Sequence, residues 1–451
     1  MNGGTGPPRM APVRVALLGC GTVGAALAAT LVARGDEIAA RSGVRLELVG
    51  VAVLDPARPR DVELPPGLLT ADAKALVERT DVDVVVELIG GVDPARTLLE
   101  AALRAGHPVV TGNKALLAEA GAELAELAAA NGVDLLYEAA VGGAIPVIRP
   151  LRESLAGERV VRVMGIVNGT TNYVLTRMTE DGTGYDDVLA EAQELGLAER
   201  DPSADVSGDD AAAKAAILAG LAFGTPVVGA DVYREGITGV RAVDVAYASR
   251  LGYVVKLLAV AELVEGGPDI SVRVHPAMVP RSHPLASVRG AFNAVFVEGE
   301  QAGELMLYGR GAGGAPTASA VLGDLIDAAR NLRAGAPAPA PRLGRVALRP
   351  IEEVRSAFYL SIDVVDRPGV LAAVATVFGH RGVSIRVMEQ FGMGGEARLV
   401  FLTHAAREGD VAGTLDDLRR LDAVDRVGGV LRVIGPEDGP AGGAGGPGPG
   451  G

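Results

Sequence analysis

The chain has a single cysteine, Cys20, and no tryptophan. One thiol cannot close an intramolecular disulfide or build a cysteine-rich zinc site. The five histidines (His107, His275, His283, His380 and His404) include no pair at metal-ligand spacing, so a zinc enzyme is not expected. Aromatics make up 3% of the residues, and the cores must therefore be built from Val, Leu, Ile and Ala. Positive charge is also short. A formal net charge of −14 argues against a nucleic-acid partner, which needs a basic footprint. No apolar run approaches the roughly 20 residues of a membrane helix; Tyr253–Val264, for instance, is interrupted by Lys256 and Glu262. The N-terminus carries no apolar signal core, and a cytoplasmic address without a membrane partner is expected. Lysine is scarce too: of 42 basic residues only Lys74, Lys114, Lys214 and Lys256 are not arginine. A lysine that persists where arginine is the habit points to a need for a compact ammonium with a tunable pKa.

At 451 residues, two or three domains are expected. Val13–Leu18 reads as a buried strand, followed by Gly19-Cys-Gly-Thr-Val-Gly24 and an Ala/Leu-rich helix to about Arg34. Strands at Arg45–Leu54, Asp83–Leu88, Pro108–Thr111 and Asp134–Tyr137 alternate with helical patterns at Ala71–Glu78, Ala95–Ala105 and Ala115–Ala130. That alternation predicts an α/β fold with a doubly wound, Rossmann-like parallel sheet. Beyond Pro146–Arg152 the pattern changes to an α+β domain. Its predicted strands are Val160–Val167, Ile270–Val274 and Ala294–Val297, and its helices Tyr185–Leu195, Asp209–Ala222 and Tyr247–Ala261. Gly309–Gly323 is glycine-rich and opens a helix that returns to the first domain. Ala334–Pro341 reads as a stiff Pro/Ala linker, and a βαββαβ module follows from Ala357 to Ile434.

Gly19, Gly21 and Gly24 follow an apolar strand and open a helix, the context that turns a Gly-x-Gly-x-x-Gly pattern into a dinucleotide site. Gly19 permits the turn, Gly21 admits the pyrophosphate to the backbone, and Gly24 lets helix and strand pack closely. Cys20, Thr22 and Val23 complete the loop, whose helix start faces the phosphates. Asp55, ending the second strand, would bind the ribose 2′-hydroxyl of NAD, whereas Arg58 and Arg60 would hold the 2′-phosphate of NADP; both readings stay open. Glu87-Leu-Ile89-Gly90-Gly91 either borders the nicotinamide or is a connecting turn.

Leu195–Leu218 packs Glu199, Asp201, Asp205, Asp209 and Asp210 ahead of an Ala-rich helix. Asp210 and Lys214 lie four residues apart, on one helical face. This is either a solvated capping loop with a surface ion pair or, given the Ala/Ile/Leu surroundings of Lys214, a partly buried ammonium with a carboxylate partner and a functional role. Lys114, in Thr111-Gly-Asn-Lys114, follows a strand at the carboxyl edge of the sheet, where such folds bind ligands; the alternative is a surface charge at a helix start. Lys114 and Lys214 are read as facing one cleft.

On these pieces, together with Tyr137-Glu-Ala-Ala-Val-Gly-Gly-Ala-Ile-Pro146 and Asn168-Gly-Thr-Thr-Asn-Tyr173, residues 12–325 resemble homoserine dehydrogenases. The resemblance implies interconversion of aspartate 4-semialdehyde and homoserine with NADP or NAD, on the route to threonine, methionine and isoleucine. It implies that Glu199 receives the substrate α-ammonium and that Asp205, Asp210 and Thr170 shape the polar pocket. Lys214 becomes the acid/base, with Lys114 near nicotinamide and substrate, and Gly313 joins the cofactor site. It further implies a structural monovalent cation, taken as sodium, held by the backbone of Glu138, Val141, Gly143 and Ile145, and a homodimer or homotetramer. Leu197 stands where the family usually has tyrosine.

Residues 357–434 resemble an ACT domain, an amino-acid-sensing module, through Leu360-Ser-Ile-Asp-Val-Val-Asp366-Arg367-Pro368-Gly369-Val370-Leu371. Amides at that helix start can hold a carboxylate. The effector implied is L-threonine; the alternative is a module used only for subunit contacts. The expected division is a flexible N-terminus (1–11), a dinucleotide-binding domain (12–146), a catalytic and dimerisation domain (147–308), a returning segment (309–333), a linker (334–349), the ACT domain (350–435) and a disordered tail (436–451). A rival acyl-phosphate-forming semialdehyde dehydrogenase needs a thiol nucleophile, and the only thiol lies in the phosphate loop. A second rival is a catalytically silent sensor with a relic dehydrogenase body, against which stand the intact Glu199, Asp210, Lys114 and Lys214.

Overall fold

In the computed structural model the first apolar run, Val13–Leu18, forms strand β1 of a parallel sheet. The structure describes residues 11–264, 267–338, 344, 346–392 and 396–435. The N-terminal residues 1–10, the middle of the expected linker and the tail 436–451 lie outside the described residues. After β1 come α1 (Thr22–Ser42), β2 (Leu46–Ala52), β3 (Leu69–Thr70), α2 (Ala73–Val77), β4 (Val84–Glu87), α3 (Ala95–Arg104), β5 (Val109–Thr111), α4 (Lys114–Asn131) and β6 (Leu135–Leu136). The sheet order is β3-β2-β1-β4-β5-β6, all parallel. Alternate residues along a strand face opposite sides. Val15, Leu17, Val84 and Val86 therefore join one apolar layer, and Ala16, Leu18 and Val85 the other. The strand order reverses between β1 and β4, which places the ligand crevice at their carboxyl ends. Helix α1 does not stop at Arg34 as expected. It kinks there and runs on to Ser42, because Ile38 and Ala39 of the extension are buried against the same layer.

The chain divides into two compact units, and the second gathers residues 158–215, 232–306 and those beyond 346. Its elements are β7 (Val160–Ile166), α5 (Gly169–Asp181), α6 (Tyr185–Glu194), α7 (Ser203–Val206), α8 (Asp209–Phe223, as far as Ala215), β8 (Tyr233–Arg234), α9 (Ala242–Arg250), β9 (Tyr253–Leu263), β10 (Ile270–Pro280), β11 (Phe292–Gly299) and β12 (Gly303–Arg310). The expected helix over Tyr247–Ala261 is absent. Helix α9 ends near Arg250, Gly252 takes a left-handed φ of 86°, and the Val-rich stretch after it becomes a strand pairing with β7 and β10. Helix α10 (Gly314–Ala334) belongs to the first unit, where Val321, Leu325 and Ala328 enter the core layer of Leu27 and Leu31.

The remaining elements are β13 (Arg355–Val365), α11 (Val370–His380), β14 (Ile385–Gly392), β15 (Glu396–Thr403), β16 (Ala406–Arg407), α12 (Glu408–Leu418) and β17 (Val424–Val433). They form the expected βαββαβ module with a short additional strand. It is not a separate body. Strand β17 pairs in parallel with β10, Ala277 opposite Arg432, so one eleven-stranded sheet runs through the α+β region and the module. The seam is polar and buried. Arg432 donates to both oxygens of Glu408 (2.7 Å each), to Glu235 (2.5 Å) and to the Tyr233 hydroxyl (3.2 Å). Beside it the buried Asp244 carboxylate accepts from Arg241, the Tyr359 hydroxyl and the Ser361 hydroxyl.

Lys256 lies in β9 and is 3% exposed. Its Nζ donates to Asn172 Oδ1 (2.9 Å), Thr176 Oγ1 (3.4 Å) and the Val288 carbonyl (2.5 Å). Burial pushes its pKa down from 10.5 to about 8. Between those values the unfolded chain holds the proton and the folded chain has released it. This group therefore makes stability rise with pH across that window, while below about pH 8 its burial cost is carried in full. Lys256→Met should abolish that rise. Urea midpoints for both proteins at about pH 7 and about pH 9.5 test it, and equal changes in the two would refute it.

Candidate active site

The dinucleotide crevice of the first unit is a cavity of about 690 Å³ lined by the Gly19–Thr22 loop, the Val53–Asp55 end of β2, Arg58, Arg60 and the Leu88–Ile89 turn. Each glycine has its own reason. Gly19 sits at φ 92°, and a Cβ there would stand 2.6 Å from the Leu88 carbonyl oxygen. A Cβ on Gly24 would stand 2.2 Å from the Gly19 carbonyl oxygen, which is the close helix–strand approach the sequence predicted. Gly21 faces open space, leaving its backbone accessible from the crevice. Gly19→Ala should therefore weaken dinucleotide binding about ten-fold or more while leaving the other unit intact. Fluorescence titration reads this directly, and unchanged affinity would remove Gly19 from the account.

Asp55 accepts from the Ala57 amide through one carboxylate oxygen, and Arg60 folds back onto the carbonyls of Asp55 and Arg58. Arg60 thus shapes the turn, while Arg58 is exposed on the rim. The segment Glu87–Gly91 is a turn braced from within by its own acid. The Glu87 carboxylate is fully buried; it accepts from the amides of Ile89 (2.7 Å) and Gly90 (3.1 Å) and from the Thr111 hydroxyl (2.6 Å). Asn113 donates to the Gly91 carbonyl (2.6 Å) and caps α4 by accepting from the Leu116 amide. The two loops at the ends of β4 and β5 are thereby tied together, and the first residue beyond that cap is Lys114, exposed at the start of α4.

Two further pieces of the first unit were expected at the site. Gly313, at φ 123°, caps α10, and a Cβ on the next residue, Gly314, would lie 3.0 Å from Thr22. The start of α10 therefore abuts the phosphate loop. Glu138 opens a short 3-10 turn, and its carboxylate accepts from three successive amides, Val147 (2.6 Å), Ile148 (2.8 Å) and Arg149 (2.9 Å). With that side chain committed, a cation at this loop would be met by main-chain carbonyls. Gly142 and Gly143 are both left-handed, and the Ile145 amide donates back to the Gly142 carbonyl, so this loop is a tight turn.

In the second unit, Lys214 and Asp210 form a buried pair, each 8% exposed, with Nζ to Oδ2 at 2.7 Å. The surface-pair alternative is thereby set aside. Lys214 also donates to the Val167 carbonyl at 2.6 Å, at the end of β7. Asn168, the next residue, ties the cluster together. Its amide donates to Asp205 (2.7 Å) and Asp210 (2.9 Å), while its Oδ1 accepts from the Thr171 amide and caps α5. No role for Asn168 is evident in the sequence beyond its place between a strand and a helix, the habitual capping position. Thr170 donates to the Leu197 carbonyl (2.9 Å), and the Leu197 side chain is exposed. Glu199 is exposed and stands apart from the Asn168 network, with its main-chain carbonyl accepting from Gln193.

In the C-terminal module, Asp366–Leu371 borders a cavity of about 400 Å³ together with Gln390 and Leu399. Gly369, at φ 92°, caps α11, so the amides at that helix start are presented beside the cavity.

Three family sequence models match the chain: "Homoserine dehydrogenase, NAD binding domain" over residues 19–138, "Homoserine dehydrogenase" over 146–326 and "ACT domain" over 358–423. The sequence is 51% identical to the homoserine dehydrogenase of Corynebacterium glutamicum, over 96% of this chain and 97% of that protein. The chain belongs to the homoserine dehydrogenase family. The crystal structure of the homoserine dehydrogenase from Thiobacillus denitrificans superposes with a TM-score of 0.89 at 41% identity, over 94% of this chain and 98% of that one. A hyperthermophilic archaeal homoserine dehydrogenase in complex with NADPH superposes with a TM-score of 0.58 at 30% identity, covering 71% of this chain and 98% of its own. As a homoserine dehydrogenase family member the protein is an oxidoreductase with a nicotinamide-dinucleotide domain and a C-terminal ACT domain. Among the described residues no helix is long and apolar enough to cross a membrane.

Proposed function

We propose that the protein interconverts L-aspartate 4-semialdehyde and L-homoserine, in the biosynthesis of threonine, methionine and isoleucine, with Lys214 as the group that handles the proton. The observation that carries this is the buried Asp210–Lys214 pair held by Asn168 and the Val167 carbonyl. When bound, NADP or NAD supplies or accepts the hydride. As the aldehyde carbon is reduced, its oxygen gains negative charge. The Lys214 ammonium stabilises that charge and gives up a proton from Nζ; in the reverse direction Nζ takes the hydroxyl proton. Asp210 keeps Nζ aimed and charged between turnovers. Asp205 and Thr170 shape the pocket, Glu199 meets the substrate α-ammonium, and Lys114 lies near the nicotinamide. The backbone of Glu138, Val141, Gly143 and Ile145 would hold a monovalent cation, whose contribution there would be structural.

The cavity at Asp366–Leu371 is the proposed site of L-threonine, with the substrate's own kind of carboxylate received at the start of α11. One experiment tests both readings: homoserine-dependent reduction of NAD and of NADP measured side by side, with and without threonine. Turnover with at least one cofactor and its loss on adding threonine is the expected result. Absence of homoserine turnover refutes the activity, and indifference to threonine refutes the effector.

A further inference from the structure

Lys256, like the exposed Lys74, has no place in the dinucleotide or proton-transfer sites, yet it is the most thoroughly enclosed of the four lysines, at 3% exposed against 8% for Lys214. Its three hydrogen-bond acceptors are uncharged oxygens, from Asn172, Thr176 and Val288. A buried ammonium without a carboxylate partner is costly, and among the described residues it has none. The charges that act on it are Glu180, on the same helix as Asn172, and Arg289, which pair with one another.

What the ammonium holds is the first turn of α5. Asn172 accepts a hydrogen bond from Lys256 on Oδ1 and donates through its side-chain amide to the carbonyls of Gly290 (2.9 Å), Phe292 (3.0 Å) and Val288 (3.3 Å). The same loop presses on the start of the helix, since a Cβ on Gly169 would stand 2.9 Å from the Ala291 carbonyl oxygen. One helical turn before Asn172 is Asn168, whose carbonyl accepts the Asn172 amide and whose side chain grips Asp205 and Asp210. A compact ammonium on a long stem sends donors in several directions at once, and the planar fork of a guanidinium suits the same three acceptors less well.

We infer that Lys256 is a positioning residue: by clamping Asn172 and the Val288 carbonyl it fixes the first turn of α5, and with it the Asn168 amide that aligns Asp210 and Lys214. This rests on the reading of Lys214 as the proton-handling group. Displacements of about 1 Å in such an arrangement cost up to about a hundred-fold in rate. Lys256→Met is therefore expected to lower kcat about ten- to a hundred-fold with little change in the KM for dinucleotide, and to move the pH profile of kcat. Lys256→Arg should recover part of the loss.

The route is tested by a double-mutant cycle with Asn168→Ala. If Lys256 acts through Asn168, the double variant is no slower than the slower single one. Multiplying effects overturn the route, and a kcat and pH profile within about two-fold of the parent in Lys256→Met overturn the proposal itself. If Lys256→Met does not fold, Asn172→Ala breaks the same clamp from the helix side and is judged by the same two criteria. Lys214→Ala measured in parallel separates the premises: an active Lys214→Ala removes the Lys214 reading, whereas a dead Lys214→Ala beside an unaffected Lys256→Met removes only this inference.

Discussion

Lys214→Ala is expected to lower homoserine turnover by about three orders of magnitude, the scale of a positioned general acid with its electrostatic contribution. Dinucleotide affinity should be nearly unchanged, because the phosphate loop is built entirely from the other unit. The variant also strips Asp210 of its ammonium partner while leaving it buried. Breaking a buried pair from one side costs about 3–5 kcal/mol, so a lower urea midpoint should accompany the lost activity. Lys214→Met and Asp210→Asn together keep the volume and remove both charges. That pair should recover much of the stability and none of the turnover. Turnover within about ten-fold of the parent in Lys214→Ala would refute the assignment of the proton.

Arg432→Met should be the most destabilising single change at the seam between substrate domain and ACT domain. Burial opposes the charge on Arg432, but Glu408 and Glu235 more than offset this and raise its pKa. Removing the guanidinium leaves Glu408, 8% exposed, without its bidentate partner and frees Glu235 and Tyr233 from their anchor. A loss of about 3–5 kcal/mol is expected, read from urea unfolding. The geometry also predicts where the damage goes. Glu235 precedes Gly236, at which a Cβ would stand 2.0 Å from the Val206 carbonyl oxygen, and Ile237 donates to that same carbonyl. Arg234 meanwhile pairs with Asp209, next to Asp210. A rise in the KM for homoserine at temperatures where the variant is still folded would register that movement; a purely additive stability loss with an unchanged KM would confine Arg432 to the seam.

Much of the architecture was legible because local signals agreed with one another. Val13–Leu18 followed by three spaced glycines could hardly be anything but a strand entering a phosphate loop, and its bounds coincide with β1. Most of β9 was misread as part of a helix over Tyr247–Ala261 because both of its faces are buried: a largely apolar run has neither the two-residue nor the 3.6-residue period that separates strand from helix. Gly252, with its left-handed φ, was the available punctuation.

The site followed the same division. Asp210 and Lys214 were readable from their spacing on one helix. The tie from Asn168 to Asp205 and Asp210 spans 37 and 42 residues, and no local pattern announces it. Glu87 likewise reads as an ordinary acid at a strand end until its carboxylate is seen gathering two amides and a hydroxyl. The family resemblance supplied Glu199, whose exposed side chain gives no such sign.

The pairing of β17 with β10 has a consequence for how the chain is made. Strand β10 ends at Pro280, but its partner along that edge is among the last described residues, at Ala277 opposite Arg432. The first unit is in the same position, since the layer around Leu27 and Leu31 is closed by α10 from residue 314 onward. A nascent chain released as far as residue 306 therefore holds two unfinished cores, each waiting for a segment not yet synthesised. Pairings of such long sequence separation fold slowly and leave apolar surface and a strand edge open meanwhile. Synthesis from the N-terminus therefore closes the first unit only with α10 and the second only with β17, although each core was begun far earlier in the chain.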